Sequence, residues 1–361
     1  MNSLIAMGDP QAPFAHVQRV LAHHDLLTTQ RRPRLKPGHS LLSIGDHFDW
    51  GAANAQARAD AAADGEACLR WLASHDDDQV VILAGNHDLA RVGELFGLSD
   101  EAFAALQVLS DRHYLGGAGR DDEEAFFRAC AFLPSTEIVS RDVSTYRHSQ
   151  QRLVTRLLKT KRLRLAHAQD GLLFTHAGIT RRALWRLGLK ERVGADVVAG
   201  ALNAALDAAV VTCLTGRHRR PLAVPGLHRP ADGISEGDGV LYHRPLFVEN
   251  DQWLEPRRFD PRKLPRGLWQ VVGHVRDKRL VSSLGPWSVP TTHKDGVLRH
   301  LIVIDEHVSY RHGPPPPRSD VPPDAAVMIF IDGAMNLCAP DTYELLDASS
   351  AQVWRPRRQL P

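Results

Sequence analysis

The sequence predicts an α/β protein on three observations. Short apolar runs recur along the chain and stop abruptly at Gly, Asp or His, as buried strands do. Alanine-rich and amphipathic stretches of helical period lie between them. The runs also end alike. Leu4–Met7 enters Gly8-Asp9, Leu41–Ile44 enters Gly45-Asp46, Val80–Ala84 enters Gly85-Asn86-His87-Asp88, Leu172–Thr175 enters His176, and Trp269–Val272 enters Gly273-His274. Ligands of an open α/β sheet bind beyond the carboxyl ends of its strands. These strands therefore deliver Asp, Asn and His to one edge.

The first strand presents Asp9 and Gln11 on alternate positions, so both can face one cation. Pro10 between them keeps Asp9 extended. Phe14–Leu27 reads as a helix with Val17, Val20, Leu21 and Leu27 inward and His16, His23 and His24 in solvent. Arg31–Gly38 is a basic, proline-containing loop before the central strand. Past that strand, Asp46 is the best candidate for a shared carboxylate, and His47 is expected as polar surface. Ala52–Ser74 reads as a helix that turns Cys68, Leu69 and Leu72 inward and leaves Asp60, Asp64 and Glu66 in solvent.

Leu89–Gln169 reads as a mostly helical insertion. Its Gly116-Gly117-Ala118-Gly119 is a break and not a phosphate loop, since that motif's lysine and strand are absent. The arginines and lysines from Arg147 to Arg164 are expected as a solvated helix face, with an electropositive rim as the functional alternative. Ile179–Leu268 is a second insertion, helical near Val193–Leu214 and then looped. Leu298–Asp305 and Ala326–Asp332 read as strands, Gly313–Asp324 as a proline-rich loop, and residues 355–361 as a disordered tail. One domain over 1–361, with cap insertions at about 89–170 and 179–268, is the expected organisation.

Of 361 residues, 43% are hydrophobic and 24% charged, as in ordinary globular chains. Lysine plus arginine (44) nearly balance aspartate plus glutamate (42), which gives nucleic-acid binding no charge signature. Cys68, Cys130, Cys213 and Cys338 form no Cys-x-x-Cys pair and read as reduced thiols, so a cytoplasmic protein is expected. No apolar stretch is expected to reach the roughly 18 residues of a membrane helix. No cleaved leader is expected either, because Asp9 is a candidate ligand.

Asp, Asn, Gln and His offer hard oxygen and imidazole donors without a thiolate, a set that suits Mn, Fe or Zn. A carboxylate has two oxygens, so Asp46 can bridge two ions about 3.5–4 Å apart. In these blocks the sequence resembles the calcineurin-like metallophosphoesterases, whose motifs run Asp-x-His, Gly-Asp-x-x-Asp-Arg-Gly, Gly-Asn-His-(Asp/Glu), a lone His and Gly-His. Here they read Gly8-Asp9-Pro10-Gln11, Gly45-Asp46-His47-Phe48-Asp49-Trp50-Gly51, Gly85-Asn86-His87-Asp88, Thr175-His176-Ala177-Gly178 and Gly273-His274-Val275. His-Ala-Gly and the single final His are most similar to the phosphoprotein-phosphatase branch and its bacterial relatives.

The resemblance implies a sandwich of two mixed β-sheets flanked by helices, with helical caps over the metal edge. It implies two divalent cations, Mn²⁺ first, with Fe or Zn as alternatives. Asp9, Gln11 and Asp46 would hold one; Asp46, Asn86, His176 and His274 the other. A metal-bridged hydroxide would attack a phosphate ester while His87, steadied by Asp49, protonates the leaving oxygen, with Asp88 in support. Two positions depart from the pattern. Gln11 replaces a His ligand, and Trp50 replaces the arginine whose fork grips phosphate. Arg244 stands where the branch carries a Leu-Trp-x-Arg-like segment and is the candidate to grip phosphate instead, with Tyr242 or His243 lining the pocket. A monoester is the expected substrate, whether small molecule, nucleotide or phosphoprotein. A diester or dinucleoside polyphosphate is the alternative, and a non-catalytic metal-binding protein is the reading from another class.

Overall fold

The computed structural model describes residues 3–51, 54–117, 120–231, 237–250 and 254–356. Two six-stranded mixed sheets pack face to face with helices outside them. The strands in chain order are β1 (Ser3–Met7), β2 (His39–Ser43), β3 (Val80–Leu83), β4 (Leu163–Arg164), β5 (Ala166–Gln169) and β6 (Leu172–Thr175). There follow β7 (Trp269–Val272), β8 (Arg299–Ile304), β9 (His307–His312), β10 (Ala326–Phe330), β11 (Leu346–Asp347) and β12 (Gln352–Val353). The first sheet runs β12-β11-β1-β2-β3-β4, the second β9-β8-β10-β7-β6-β5. β1 to β4 are parallel, and so are β6, β7 and β10.

Strand alternation builds the layers. Leu4 and Ala6 of β1 face Val271, Val327 and Ile329 of the other sheet, while Ile5 and Met7 face the helices. The helices are α1 (Phe14–His23), α2 (Ala55–Ala73), α3 (Asn86–Ala90), α4 (Asp100–Tyr114), α5 (Arg120–Ala129), α6 (His148–Lys159), α7 (Arg181–Arg186), α8 (Ala195–Leu214) and α9 (Asp277–Leu284). Asn54 starts α2 by accepting from Ala57 N at 2.9 Å.

Several expectations change. α1 ends at His23, and His24 is buried, its Nε2 donating to the Tyr343 carbonyl at 2.7 Å. Parts of both long insertions belong to the main body of the fold. α4, α5 and a π-helical turn at Ile138–Asp142 share a small core of Phe103, Phe126, Val139 and Tyr146. By contrast α6 turns Leu153, Val154, Leu157 and Leu158 into the main core, and β4 and β5 belong to the sheets. The arginines at the end of the basic run serve structure: Arg162 donates to the Val80 and His75 carbonyls, and Arg164 pairs with Asp207. α8 is long and apolar enough to cross a membrane by length and composition, with mean hydropathy 1.9, contrary to the sequence expectation. Asn203 and Asp207 interrupt that run, and Val198, Leu202, Leu206 and Val210 pack into the main core. Of the expected tail at 355–361, residues 357–361 lie outside the described residues, as do Ala118-Gly119.

Candidate metal centre

The carboxyl ends of β1, β2, β3, β6 and β7 bring Asp9, Asp46, Asn86, His176 and His274 to one place. The turns that do this are tight. A Cβ on Gly85 would lie 2.0 Å from Asp46 Oδ1, and one on Gly273 would lie 2.0 Å from Asp9 Oδ1, so glycine is required at both. Asp46, Asp49 and His274 adopt left-handed φ of 55°, 65° and 64°, which costs each roughly 1–2 kcal/mol. Asp88 holds the first of these turns, accepting from Asp46 N (2.9 Å), Gly85 N (2.8 Å) and His47 N (3.1 Å). His47, expected at the surface, is fully buried, with Nδ1 3.0 Å from Asp88 and Nε2 3.0 Å from Ser43 Oγ. Its burial is compensated by the Asp88 carboxylate of α3, 41 residues on in the chain, which no local pattern reveals.

Asp46 Oδ1 accepts from His87 N at 2.9 Å, and Oδ2 lies 3.3 Å from His176 Nε2. His176 Nδ1–H donates to the Ile44 carbonyl at 3.1 Å, which turns Nε2 toward Asp46 and Asn86 Oδ1 (3.1 Å). Asp46, His176 and His274 offer ligand atoms all within 4.8 Å of one another. Asp9 Oδ2 accepts from His274 N at 3.0 Å, while Asp9 Oδ1 and His274 Nε2 are buried without a hydrogen-bond partner. Orphaned buried acceptors beside such a donor set fit divalent cations. Gln11 borders the same cavity and donates its Nε2 to the Phe48 carbonyl at 3.0 Å, leaving the amide oxygen as its coordinating end.

Charge follows this geometry. Burial, then Asp332, push the Asp9 carboxyl well above its usual range. Burial raises Asp46, but His176 and His87 outweigh it and bring it to about 2. Burial lowers His176, and Asp46 then raises it to about 9. Burial, then Arg244, hold His274 neutral, the form that ligates. Asp332 is a site residue that sequence reasoning missed. It ends the apolar run of β10, parallel to β7, with its Oδ1 accepting from Ala334 N at 2.9 Å.

His87 Nδ1–H donates to Asp49 Oδ2 at 3.0 Å, and Nε2 lies 3.8 Å from Asp46 Oδ2. Burial opposes a charge on this ring, but Asp46 and Asp49 raise it to about 9. Asp49 is itself held by Arg91 (2.6 and 2.9 Å), Thr145 N (3.0 Å) and Thr145 Oγ1 (2.6 Å). Burial would raise its carboxyl; Arg91 first, then His87, keep it well below the usual range. Arg91 and Thr145 have no signal in the sequence.

A cavity of about 990 Å³ opens over the ligands. Trp50 does not line it; Arg244 does, together with Arg141, Arg258, Arg276 and Arg279. The electropositive rim therefore comes from segments other than the basic run ending at Arg164. His243 is buried, its Nδ1 donating to the Gly178 carbonyl at 2.8 Å, and it lines a separate cavity. Tyr242 donates to Glu94 Oε1 at 2.8 Å and packs edge-on to His274. It also stacks on His228, whose two ring nitrogens are buried and unpartnered and whose pKa burial lowers to about 4.

The folded chain resists protonating His228, so stability falls as pH drops from about 6.5, the free imidazole value, toward 4. The contribution reaches about 3 kcal/mol below that window. His228→Phe is expected to hold its urea midpoint at pH 4.5 relative to pH 7.5 better than the parent chain. Parallel pH profiles would contradict the assignment.

No protein-family model matches the chain, and no curated protein matches it. Among solved structures it is similar to the cold-active protein-tyrosine phosphatase of a psychrophile, Shewanella sp. The identity is 11% and the TM-score 0.41, over 97% of this chain and 76% of that one. Another cold-active protein tyrosine phosphatase structure aligns at 13% identity and a TM-score of 0.39, over 96% and 73%. Likeness at this level carries no assignment of activity.

Proposed function

We propose that the chain is a metal-dependent phosphoesterase that hydrolyses phosphate monoesters. The observation that supports it best is the convergence of Asp46, His176 and His274 beside a histidine held by a buried aspartate. Asp9, Gln11 and Asp46 would hold one cation, and Asp46, Asn86, His176 and His274 a second, with Mn²⁺ preferred on the donor chemistry. Bound there, the cations would supply water of lowered pKa and offset charge on the phosphoryl oxygens.

The remaining chemistry falls to the chain's own side chains. Asp49 fixes His87 so that the proton on Nε2 faces the cavity and can pass to the departing oxygen. The half-buried Arg244 guanidinium borders the same space and provides the grip on a dianion that Trp50 lacks. His87→Gln is expected to lower kcat about a hundredfold or more on alkyl phosphates. On nitrophenyl phosphate, whose leaving group needs no proton, the loss should be far smaller. Equal losses on both would remove His87 from the acid role.

Phosphate release from nitrophenyl phosphate and from its bis-ester, each with added Mn²⁺, tests the reading. Faster turnover of the bis-ester would instead make the chain a diesterase. Turnover of neither, with cations bound, would support the non-catalytic alternative.

A further inference from the structure

Three arginines next to the candidate centre exceed what one phosphate needs. Arg244–Pro245 and Arg258–Phe259 form a parallel two-stranded ribbon in which Arg244 is paired with Arg258, so both side chains leave the same face. Arg244 N donates to the Arg257 carbonyl at 2.8 Å and Leu246 N to the Phe259 carbonyl at 2.9 Å. Phe247 N donates to the Ser283 carbonyl at 2.8 Å, which ties the ribbon to α9, the helix that carries Arg279. The trio thus sits on hydrogen-bonded backbone rather than on free loops.

Arg244, Arg258 and Arg279 line both the cavity over the ligands and an adjoining one of about 290 Å³ that passes His87 and Asn86. Among the described residues none of the three forms an ion pair, and Arg244 Nε and Arg258 Nη1 are buried without partners. Burial, then Arg279 and Arg258, lower Arg244 to about 10. Burial and Arg279 lower Arg258 as well. Arg244 and Arg258 are half-buried and Arg279 is exposed beside them, and crowded like charges of which two are half-buried are costly unless an anion joins them. A single scissile phosphate occupies one bidentate fork and leaves the others unused.

We propose that Arg258 and Arg279 bind a second phosphate, so that the substrate carries at least two phosphate groups, one of them at Arg244 over the metal ligands. This rests on the phosphoesterase reading. A phosphoanhydride chain and a doubly phosphorylated sugar share the required chemistry.

Calorimetry of the full chain without added metal, titrated with tripolyphosphate and with orthophosphate, tests binding apart from turnover. Tripolyphosphate is expected to bind at least about tenfold more tightly. Arg258→Gln and Arg279→Gln should each remove most of that advantage and change orthophosphate binding less. Arg219→Gln, an exposed position outside both cavities, should leave the advantage in place. Equal affinity for the two anions overturns the proposal, and so does an equal loss in Arg219→Gln. With Mn²⁺ present, phosphate release from pyrophosphate against a hexose bisphosphate then separates anhydride from ester, each faster in kcat/KM than hexose monophosphate. Turnover of nitrophenyl phosphate without preference for the doubly charged compounds defeats this inference alone. Tight tripolyphosphate binding without any turnover defeats the phosphoesterase reading and leaves the anion site.

Discussion

Arg91→Met is expected to lower unfolding stability by about 3–5 kcal/mol, because it strands the buried Asp49 carboxylate. Both side chains are fully buried, and the guanidinium makes two hydrogen bonds to Asp49 at 2.6 and 2.9 Å. It also donates to the His87 carbonyl at 2.8 Å and to Gln150 Oε1 at 3.2 Å, and lies 4.5 Å over the Phe48 ring. One side chain therefore joins the His87 turn, the Asp49 turn and the start of α6. Adding Asp49→Asn to Arg91→Met should recover part of the loss, since no unpaired charge then remains inside. Denaturant unfolding of the two single variants and the double variant measures this directly. If the double variant is as unstable as the sum of the singles, the two residues do not act as a pair.

Asp46→Asn is expected to cost about a thousandfold in phosphate release, together with most of the bound manganese. Asparagine tolerates the left-handed backbone at this position, so the fold should survive the change. What disappears is the negative charge beside His176 (3.3 Å) and His87 (3.8 Å). Elemental analysis and a phosphate-release assay on the same preparation give both readings. A variant that keeps two cations per chain and near-parental turnover removes Asp46 from the centre of the chemistry.

The two variants also separate what the sequence discloses from what only the folded chain shows. Asp9, Asp46, Asn86, His176 and His274 are legible because each follows an apolar strand, and strands and their ends are local signals. Asp332 carries the same signal, an apolar run into Asp-Gly, and it shares a cavity with Asp9 and Asp46. Arg91, Thr145, Arg258 and Arg279 have no such mark. Their roles depend on partners brought close by tertiary packing, as when Thr145 of the first insertion reaches Asp49. His24 and His47 misled for the same reason, since a polar residue is expected outside until a distant carbonyl or carboxylate is found to satisfy it. The edge strand β9 and the two-residue strands β11 and β12 mix polar and apolar residues and give too weak a period to read.

The left-handed backbone at Asp46, Asp49 and His274 sets a trade between endurance and chemistry. Glycine or asparagine at these three positions relaxes the chain while deleting the charges and the imidazole. Descendants under pressure for heat resistance alone would drift that way. A lineage with all three replaced, but with the Asp88 clamp and the paired sheets intact, would have kept its shape and abandoned its trade.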